Sequence, residues 1–354
     1  MIPYIVLLFS SIAVAYVGRR YGSQGVRRFS VLLIGGLLVL FAGLRDRAIG
    51  TDTGNYVGWL NRVNSLEDVL AFHTEIGFSF LVLVGSWLSD GYAAYLLLIA
   101  LVAVSFYLIP ILKLVPRYEV AIFVFISLGF YTFFFNGARQ GVAAAICFFA
   151  MPWLLERKAI PYFLTIAFAT LFHKTALVAL PLYFIAASRV GWRELLLIVA
   201  GAVFLSITLS SFAQLAAILI DEKYATYGQS GECGGEVKVA FLLGQALLLL
   251  YFKKQVGHNN IFYGRLLNIY LIGLVPALAS VISSLNPSGV LRLTTYFSHT
   301  SILLWPMVFM SFRRFDNRAI VTSSFFIIAV AYFILTTSMF SKLTPYQLNS
   351  EIFW

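Results

Sequence analysis

Residues 29–56 read FSVLLIGGLLVLFAGLRDRAIGTDTGNY, and this stretch indicates what kind of fold the chain adopts. Up to position 44 it is an uncharged apolar run long enough to enter a bilayer. Residues 45–52 then add two arginines and two aspartates at once. Charge this dense is rare in a chain that is 60% hydrophobic and 11% charged. Ionisable residues beside an apolar span that do not serve as anchors are usually functional, so this cluster predicts a site at the membrane surface.

The composition indicates an all-α, polytopic membrane protein. The 354 residues have 16% aromatic side chains and a mean hydropathy of +0.89, more apolar surface than a soluble core absorbs. The first apolar run, from Ile2 to Val17, has no basic residue before it and no Ala-x-Ala site after it, so we interpret it as a retained span. The net charge of +10 then fits anchoring at the cytoplasmic face and not nucleic-acid binding.

Cysteine and histidine usage predicts neither a disulfide nor a metal site. Cys147 falls within an apolar run and Cys233 within a polar, Gly-rich loop, so the two should lie at different depths. The four histidines are scattered, and no metal-ligand spacing is present. We therefore expect no metal and no cofactor.

Charge placement predicts the topology. If the basic breaks between apolar runs are collected on one face, most of the 25 lysines and arginines lie there, and the positive-inside rule makes that face cytoplasmic. The apolar runs lie at about 2–18, 29–44, 76–89, 92–112, 119–135, 139–155, 160–172, 175–188, 194–212, 238–252, 263–284, 294–312 and 318–339. The basic breaks contain Arg19, Arg20, Arg27, Arg28, Lys113, Arg117, Arg157, Lys158, Arg189, Arg193, Lys253, Lys254, Arg265, Arg313, Arg314 and Arg318.

Two consequences follow from this assignment. Residues 76–89 must begin and end on the outer side, which predicts a re-entrant or outer-surface helix and leaves about 12 transmembrane helices. Residues 159–188 have basic flanks at both ends, so this stretch must turn at Phe172–Thr175. Each arm is then about 20 Å long, which places His173 at the floor of a recess below the outer surface.

The longer polar segments all fall on the outer side, and we expect one integral membrane domain, 1–354, with no soluble domain. The outer segments are residues 45–75, 213–237 and 285–293, together with the tail after Ser338. Two interpretations stay open for residues 213–237: a mobile lid, or a loop without a special role.

Several outer-side ionisable residues are not explained by anchoring. Guanidinium groups make paired hydrogen bonds to phosphate oxygens, and several around a recess suit a diphosphate. Neighbouring Asp, Glu and His side chains suit removal of a proton from an attacking hydroxyl. The residues are Arg45, Asp46, Arg47, Asp52, Arg62, Glu75, Arg139, His173, Lys174 and Arg292.

Each candidate also has a structural alternative. Arg45 and Arg47 would pair with the neighbouring aspartates in a loop network. Arg139 would reach toward lipid headgroups. His173 would donate a packing hydrogen bond between helices, and Glu75 would cap the re-entrant helix.

The order of several short motifs resembles the EpsG branch of the Wzy-type polymerases of bacterial surface polysaccharides. The resemblance covers about residues 40 to 300, and it lies in the order, spacing and shared outer placement of the motifs. The matching residues are Arg45, Gly50, Thr51, Asp52, Asn55, Tyr56, Glu75, Gly77, Phe78, Asn136, Arg139, Gln140, Gly141, Ala143 and Leu171 to Ala176, with Arg292, Tyr296 and Phe297 as a later arginine-aromatic element.

This resemblance implies a fold like that of other multi-span, lipid-sugar-dependent (GT-C-like) glycosyltransferases, and metal-independent joining of undecaprenyl-diphosphate-linked oligosaccharides at the outer face of the bacterial inner membrane. Arg139 and Arg292 would stabilise charge on the diphosphate, and Asp52 and His173, ahead of Glu75, would serve as base. Substrate binding would involve Arg45, Asn55, Tyr56, Asn136, Gln140, Lys174 and Tyr296.

The implied partners are the lipid-linked substrates, the phospholipid bilayer and, as a family expectation, a polysaccharide chain-length regulator. Two rival functions stay open. An O-antigen ligase would use similar lipid-diphosphate chemistry with another acceptor. A lipid-linked oligosaccharide flippase or other transporter would line a path through the membrane with charges, whereas here the charges stop on the outer side. A purely structural scaffold is the remaining alternative.

Overall fold

A computed structural model describes residues 1–186, 193, 196–205, 207–208, 235–257, 260–282, 287–312 and 315–350. Within these ranges the protein is helical, and its one β-type contact is an isolated bridge between Arg45 and Leu348. The expected all-α fold is therefore confirmed. Most of residues 213–237 lie outside the described ranges, so both interpretations of that segment stay open.

The chain divides into two compact units, Met1–Leu177 with Phe312–Trp354, and Val178–Ser311. The expectation of one domain, 1–354, stays a prediction. The helices of the first unit are α1 Ile2–Tyr21, α2 Gln24–Gly43, α3 Thr53–Gly58, α4 Leu66–Ala71, α5 Ile76–Leu88, α6 Tyr92–Leu114, α7 Tyr118–Ser127, α8 Phe130–Asn136, α9 Ala138–Phe149, α10 Met151–Leu155 and α11 Ala159–Thr170, with α20 Phe315–Leu335 near the end of the chain.

The second unit contains shorter helices and several breaks. Its described helices are α12 Leu182–Ile185, α13 Leu196–Leu205, α14 Glu236–Val256, α15 Ile261–Ile272, α16 Leu274–Ile282, α17 Pro287–Leu293, α18 Thr295–Ser298 and α19 Ser301–Ser311.

Six helical segments in the described ranges are long and apolar enough to cross a membrane. These are Ile2–Tyr21, Gln24–Gly43, Tyr92–Leu114, Tyr118–Asn136, Ile261–Ile282 and Asn317–Phe340. Shorter apolar helices of 10–17 residues accompany them, among them α5 and α9. The protein is thus a polytopic helical membrane protein, and the total of about 12 spans stays a prediction.

One end of the first unit is rich in basic residues and will be called the basic end: Arg19, Arg27, Lys113, Arg117, Glu119, Glu156 and Lys158. Glu119 Oε2 lies 2.8 Å from Arg19 Nε, and its Oε1 lies 3.3 Å from Arg117 Nε. Glu156 pairs with Lys158 at 2.8 Å and with Lys113 at 3.8 Å. These ion pairs connect polar segments between the helices, and the charge pattern predicted that all of these segments lie on the cytoplasmic face of the membrane.

The other end will be called the loop end and consists of residues 44–75, 136–139, 171–175 and 341–349. Thr51 N–H donates to Asn136 Oδ1, and Gly77 N–H donates to the Leu171 carbonyl. Asp46 N–H donates to the Gln347 carbonyl. The contacts therefore group these segments at one end, as the charge pattern predicts.

Helix α5 begins and ends at the loop end. Glu75, directly before its first residue, contacts Arg139. Tyr92, four residues after its last residue, donates its hydroxyl to Asp46 Oδ2 at 3.3 Å. At 13 residues, about 20 Å, α5 is also short for a bilayer core of about 30 Å. Both observations support a helix that does not cross the membrane.

The chain also breaks where a turn was expected after α11. This helix ends at Thr170, and a 3₁₀ helix begins at Lys174. Residues 285–293 were predicted to form an outer loop, but Pro287–Leu293 is helical. Proline is favoured at the first position of a helix, where its missing N–H costs nothing, so Pro287 begins a helix instead of ending one.

Candidate functional site

The C-terminal segment 341–350, which we call the strap, holds the loop that follows α2. Its backbone makes three hydrogen bonds with that loop: Asp46 N–H donates to the Gln347 carbonyl at 2.9 Å, Gly50 N–H donates to the Lys342 carbonyl at 3.0 Å, and Asn349 N–H donates to the Leu44 carbonyl at 2.9 Å. Backbone groups at the end of a helix need partners when they are buried. The strap supplies them, so the loop has a defined backbone conformation.

Tyrosines fasten the strap to the first two helices. Tyr346 donates its hydroxyl to the Phe41 carbonyl at 2.6 Å, and its ring stacks on the Phe41 ring at 4.2 Å. Tyr4 donates to the Leu343 carbonyl at 2.8 Å. Burial raises the pKa of Tyr346 to about 12, so this hydroxyl stays protonated and remains a donor at neutral pH.

Arg45, predicted from the sequence to bind substrate, is buried beneath the strap. Its side chain is 1% exposed, and its guanidinium lies 4.4 Å from the centre of the Phe135 ring. It donates to the Ala42 carbonyl and, at 3.4 Å, to Thr53 Oγ1. Burial lowers the pKa of Arg45 to about 10. Because this pKa is still well above 7, the side chain stays charged at neutral pH. These contacts describe a structural cation, and the predicted diphosphate contact of Arg45 stays a prediction.

Tyr92 contacts both Asp46 and Arg47 in this loop, and the network of Arg45 and Arg47 with the neighbouring aspartates stays a prediction. Asp46 accepts from Ala48 N–H at 2.8 Å and from the Tyr92 hydroxyl at 3.3 Å. Arg47 has an exposed side chain, and its backbone N–H donates to the Tyr92 hydroxyl. Among the described contacts, Tyr92 and the strap shape this loop.

Asn136 joins the loop to the strap. Its Oδ1 accepts from Thr51 N–H at 2.9 Å, and its Nδ2 donates to the Ser341 carbonyl at 2.9 Å. Both ends of the amide are therefore engaged inside the protein. The predicted substrate contact of Asn136 is untested, and these two hydrogen bonds favour a structural role.

Gly50 allows the loop to pass close to the end of α8. Its φ of 97° lies in the left-handed region that favours glycine. A Cβ at this position would lie 2.6 Å from the Phe135 carbonyl oxygen. The Gly50 N–H donates to the Lys342 carbonyl at 3.0 Å. Glycine is thus required by both conformation and space.

Glu75 and Arg139 form a largely buried ion pair at the loop end. Arg139 Nη1 lies 2.8 Å from Glu75 Oε2, and the side chains are 19% and 4% exposed. The same Nη1 donates to Thr74 Oγ1 at 2.9 Å, and that hydroxyl donates to Glu75 Oε2 at 3.1 Å. Glu75 occupies the position before α5 but makes no capping bond. The contacts thus favour an internal pair over helix capping by Glu75 or headgroup contact by Arg139.

The turn after α11 contributes to the same cluster. Lys174 N–H donates to Glu75 Oε1 at 3.3 Å, while the Lys174 side chain is exposed. His173 Nδ1 accepts from Thr175 N–H at 3.2 Å and lies 2.8 Å from Thr175 Oγ1. A backbone N–H only donates, so the neutral His173 ring carries its proton on Nε2. Glu75, Arg139 and the backbone of Lys174 are therefore brought into contact, and His173 lies in the same turn, directly before Lys174.

Aromatic rings form a wall beside this cluster. Trp59 lies under the Arg139 guanidinium, 5.4 Å from the ring centre, and is partly exposed. Tyr56 and Phe72 meet Trp59 edge to face at 5.0 and 5.4 Å. Tyr56, a predicted substrate contact, is 6% exposed, and its hydroxyl hydrogen-bonds Arg139. This hydrogen bond helps to position the guanidinium, and the substrate contact of Tyr56 stays a prediction.

Two further predicted residues lie on the exposed side of the loop. Asp52 directly precedes α3, is partly exposed and makes no side-chain capping bond. Asn55, in the first turn of α3, is exposed. Gln140, which was also predicted to bind substrate, is buried within α9 and only 6% exposed. Asp52 and Asn55 are accessible to a substrate at the loop end.

Arg292 and Tyr296 belong to the second unit. Arg292 is partly exposed in α17, and Tyr296 is fully buried in α18. The predicted roles of both residues stay predictions.

Sequence reasoning did not single out Thr74 or Trp59. Thr74 bridges Glu75 and Arg139, and Trp59 supports Arg139. Both residues could have been found from their closeness in sequence to the predicted motifs, because Thr74 directly precedes Glu75 and Trp59 lies three residues after Tyr56. In the described ranges, no group of three or more His, Cys, Asp or Glu residues is placed to hold a metal ion.

The fold and the cluster define a class: a multi-pass helical membrane protein whose polar site gathers at one end of its helices. A sequence model of the EpsG family matches residues 28–348, which is most of the chain. The protein belongs to the EpsG family. The search of curated proteins returned no match. The search of solved structures likewise returned none. The predicted family is thus confirmed, and family membership supports a polymerising, glycosyltransferase-type role in polysaccharide biosynthesis.

Proposed function

We propose that this protein is a glycosyltransferase that joins undecaprenyl-diphosphate-linked oligosaccharide repeat units into an O-antigen or exopolysaccharide. It acts at the outer face of the bacterial inner membrane, with the loop end facing outward. The observation that supports this most directly is the cluster of Glu75, Arg139, His173 and Lys174, assembled from three separate parts of the chain. A chain-length regulator is an expected partner.

The proposed reaction transfers the growing chain to an incoming unit. A sugar hydroxyl of the incoming unit attacks the anomeric carbon of the chain, and the bond from that carbon to the diphosphate oxygen breaks. The hydroxyl proton passes to a protein base, and undecaprenyl diphosphate leaves with the electron pair. Arg139 and Arg292 stabilise the charge that develops on the diphosphate.

Asp52 is the base that the contacts favour. Glu75 accepts hydrogen bonds at both oxygens and pairs with a cation, which stabilises its charged form and makes it a weak base. The neutral His173 ring uses Nδ1 as an acceptor and carries its proton on Nε2, so it is arranged to donate. Asp52 lies partly exposed in the loop.

Replacing Asp52 by Asn tests this ranking. We expect Asp52→Asn to lower polymer formation by about 100-fold or more, the usual contribution of a general base. Asp68→Asn is the matched control. Asp68 is a partly exposed carboxylate in the first turn of α4, within the same segment 44–75. It caps α4, and its hydrogen bonds with residues 64 and 65 lower its pKa. Equal activity of the two variants would remove Asp52 from the mechanism.

We further propose that no metal takes part, because cationic side chains supply the charge that a metal supplies in many sugar transferases. Polymerisation by the purified protein in proteoliposomes should then continue at an unchanged rate after treatment with EDTA. Loss of activity that added Mg²⁺ or Mn²⁺ restores would contradict metal independence.

Deletion of the gene in its host tests the function itself. The surface polysaccharide is separated on a gel. A polymerase deletion removes the long-chain ladder and leaves a single repeat unit attached. Loss of all attached units would indicate the ligase or the flippase instead, and an unchanged pattern would contradict all three functions. Complementation with the wild-type gene restores the ladder.

A further inference from the structure

The two residues on either side of Asp52 are both bonded to the end of α8. Thr51 N–H donates to Asn136 Oδ1 at 2.9 Å. Thr53 Oγ1 donates to the Phe135 carbonyl at 3.0 Å. Phe135 and Asn136 are the last two residues of α8, so the segment that contains Asp52 is attached to this helix at two adjacent points. We call these two contacts the clamp.

Thr53 is suited to hold this position because its hydroxyl has several partners. The side chain is fully buried. Its oxygen lies 2.7 Å from the Ile49 carbonyl and accepts from Arg45 Nη2 at 3.4 Å. A hydroxyl has one proton to donate, and because Arg45 occupies the acceptor side, that proton points toward the carbonyls of Ile49 and Phe135. The hydroxyl thus joins the loop after α2 to α8.

The end of α8 leads directly to Arg139. This arginine is the second residue of α9, three positions after Asn136. In α3, four residues after Asp52, the Tyr56 hydroxyl hydrogen-bonds the Arg139 guanidinium. The segment with the proposed base and the segment with the proposed diphosphate contact are therefore joined by the clamp and by this further hydrogen bond.

Asp52 stands in the position of a helix cap without serving as one. It directly precedes α3, where aspartate is among the favoured capping residues. Its side chain makes no capping bond and is partly exposed. Capping of α3 therefore does not account for an aspartate at this position.

We propose that Thr53 is a positioning residue, which acts on the reaction through Asp52 by holding that carboxylate at a fixed place relative to Arg139. The inference rests on the proposed polymerase function and on Asp52 as its base. A base must lie within hydrogen-bond reach of the proton that it removes, and a displacement of about 1 Å can cost roughly 100-fold in rate. Because Thr53 is fully buried, its effect reaches the substrate only through its neighbours.

Rates of polymer formation in proteoliposomes test the proposal, with lipid-linked repeat units extracted from the deletion strain as substrate. Thr53→Val keeps the shape of the side chain and removes its hydroxyl. It should lower kcat about tenfold or more and leave KM nearly unchanged, because a base acts in the transition state. Thr53→Ser keeps the hydroxyl and should retain most of the rate.

Thr132→Val is the matched control. Thr132 is a buried threonine of α8, and its hydroxyl also donates to a carbonyl, that of Gly129. Its rate should equal that of the wild type. An equal loss in Thr132→Val, or an unchanged kcat for Thr53→Val, would overturn the proposal.

The next measurement repeats Thr53→Val in protein that already carries Asp52→Asn. If Thr53 acts through Asp52, the second substitution should cause no further loss of rate, because residues that act as a unit are not additive. A loss of the same factor with and without Asp52 would show that Thr53 serves the fold alone, and the positioning role would be rejected.

A second variant covers the case in which Thr53→Val does not fold. Asn136→Ala removes the contact on the other side of Asp52, and it is compared in the same two backgrounds. Rates are taken only from protein that elutes as a single peak in size-exclusion chromatography. If neither variant gives such a peak, the clamp serves stability and the positioning role is rejected.

Failure of this inference can be told apart from failure of the proposed function. If deletion of the gene leaves the polysaccharide unchanged, the polymerase function fails. If the wild-type protein polymerises and Thr53→Val does so at the same rate, the function stands and the positioning role fails. If Asp52→Asn is fully active while Thr53→Val is slow, the polymerase function again stands, but Asp52 is not the base and this inference fails.

Discussion

The two ends of the first unit each hold a buried glutamate, but the two glutamates have different partners. Glu119, at the basic end, lies between two arginine side chains, at 2.8 and 3.3 Å. Glu75, at the loop end, pairs with the single arginine Arg139 and accepts a backbone N–H from Lys174. At the basic end cations exceed the acid, as an anchor at a membrane surface requires. At the loop end the charges of Glu75 and Arg139 balance each other, and the exposed side chain of Lys174 lies nearby. This arrangement suits a polar binding site.

The largest expected effect comes from removing the arginine at the loop end. Arg139→Ala should lower polymer formation by about 100-fold or more at unchanged protein level, if its guanidinium stabilises charge on the diphosphate. Arg117→Ala removes an arginine of the basic end, and polymer formation should stay close to wild type. Polysaccharide gels of complemented deletion strains provide the measurement. An equal loss in both variants would show that the two ends do not differ in function.

Removing the two glutamates should separate their contributions to stability. Glu75→Ala leaves Arg139 largely buried without its carboxylate, which should cost about 3 kcal/mol. Glu119→Ala leaves two arginines that are 24% and 33% exposed and reach water, so the cost should be about 1 kcal/mol. The melting temperatures of the detergent-solubilised variants measure both effects. A larger loss for Glu119→Ala would reverse the comparison.

The loop end also depends on backbone geometry at Gly50. Gly50→Ala should destabilise the protein by about 2 kcal/mol, because alanine is strained at a φ of 97° and its Cβ would meet the Phe135 carbonyl. Gly36→Ala is the control, since a Cβ there meets nothing within 4 Å and the residue lies inside α2. Melting temperatures that fall equally for both would contradict the tight approach at Gly50.

The smallest expected effect concerns one hydroxyl of the strap. Tyr346→Phe keeps the ring stacked on Phe41 and removes the hydrogen bond to the Phe41 carbonyl, so the loss should be about 1 kcal/mol. Tyr251→Phe, at an exposed tyrosine of the second unit, should leave the melting temperature unchanged. No shift for Tyr346→Phe would mean that stacking alone holds the strap.

Much of the loop end could be predicted from the sequence because charge is informative in an apolar chain. Glu75, Arg139 and Lys174 lie in different segments, yet the positive-inside rule placed all three on one side, and the structure brings them into contact. The break after α11 was predicted for the same reason, since basic residues flank both ends of that stretch.

Other features of the site could not be predicted from the sequence, because they depend on contacts between distant residues. Arg45 resembles Arg139 in the sequence, but the strap covers Arg45 and leaves Arg139 partly exposed. Asn136 stands within a motif that resembles a substrate contact, yet Thr51 and Ser341 use both ends of its amide. Neither outcome is visible in local spacing, since each depends in part on the distant C-terminal segment, through Leu348 for Arg45 and Ser341 for Asn136.

The strap also has a consequence for how the protein is made. Tyr346 bonds Phe41 across 305 residues of chain, so the loop after α2 leaves the ribosome long before its partner exists. At about 5–20 residues per second, that delay is roughly 15–60 seconds. During this time the Arg45 side chain lacks the contact that the strap makes beside it. The loop after α2 can therefore take the conformation described above only after the strap has been synthesised.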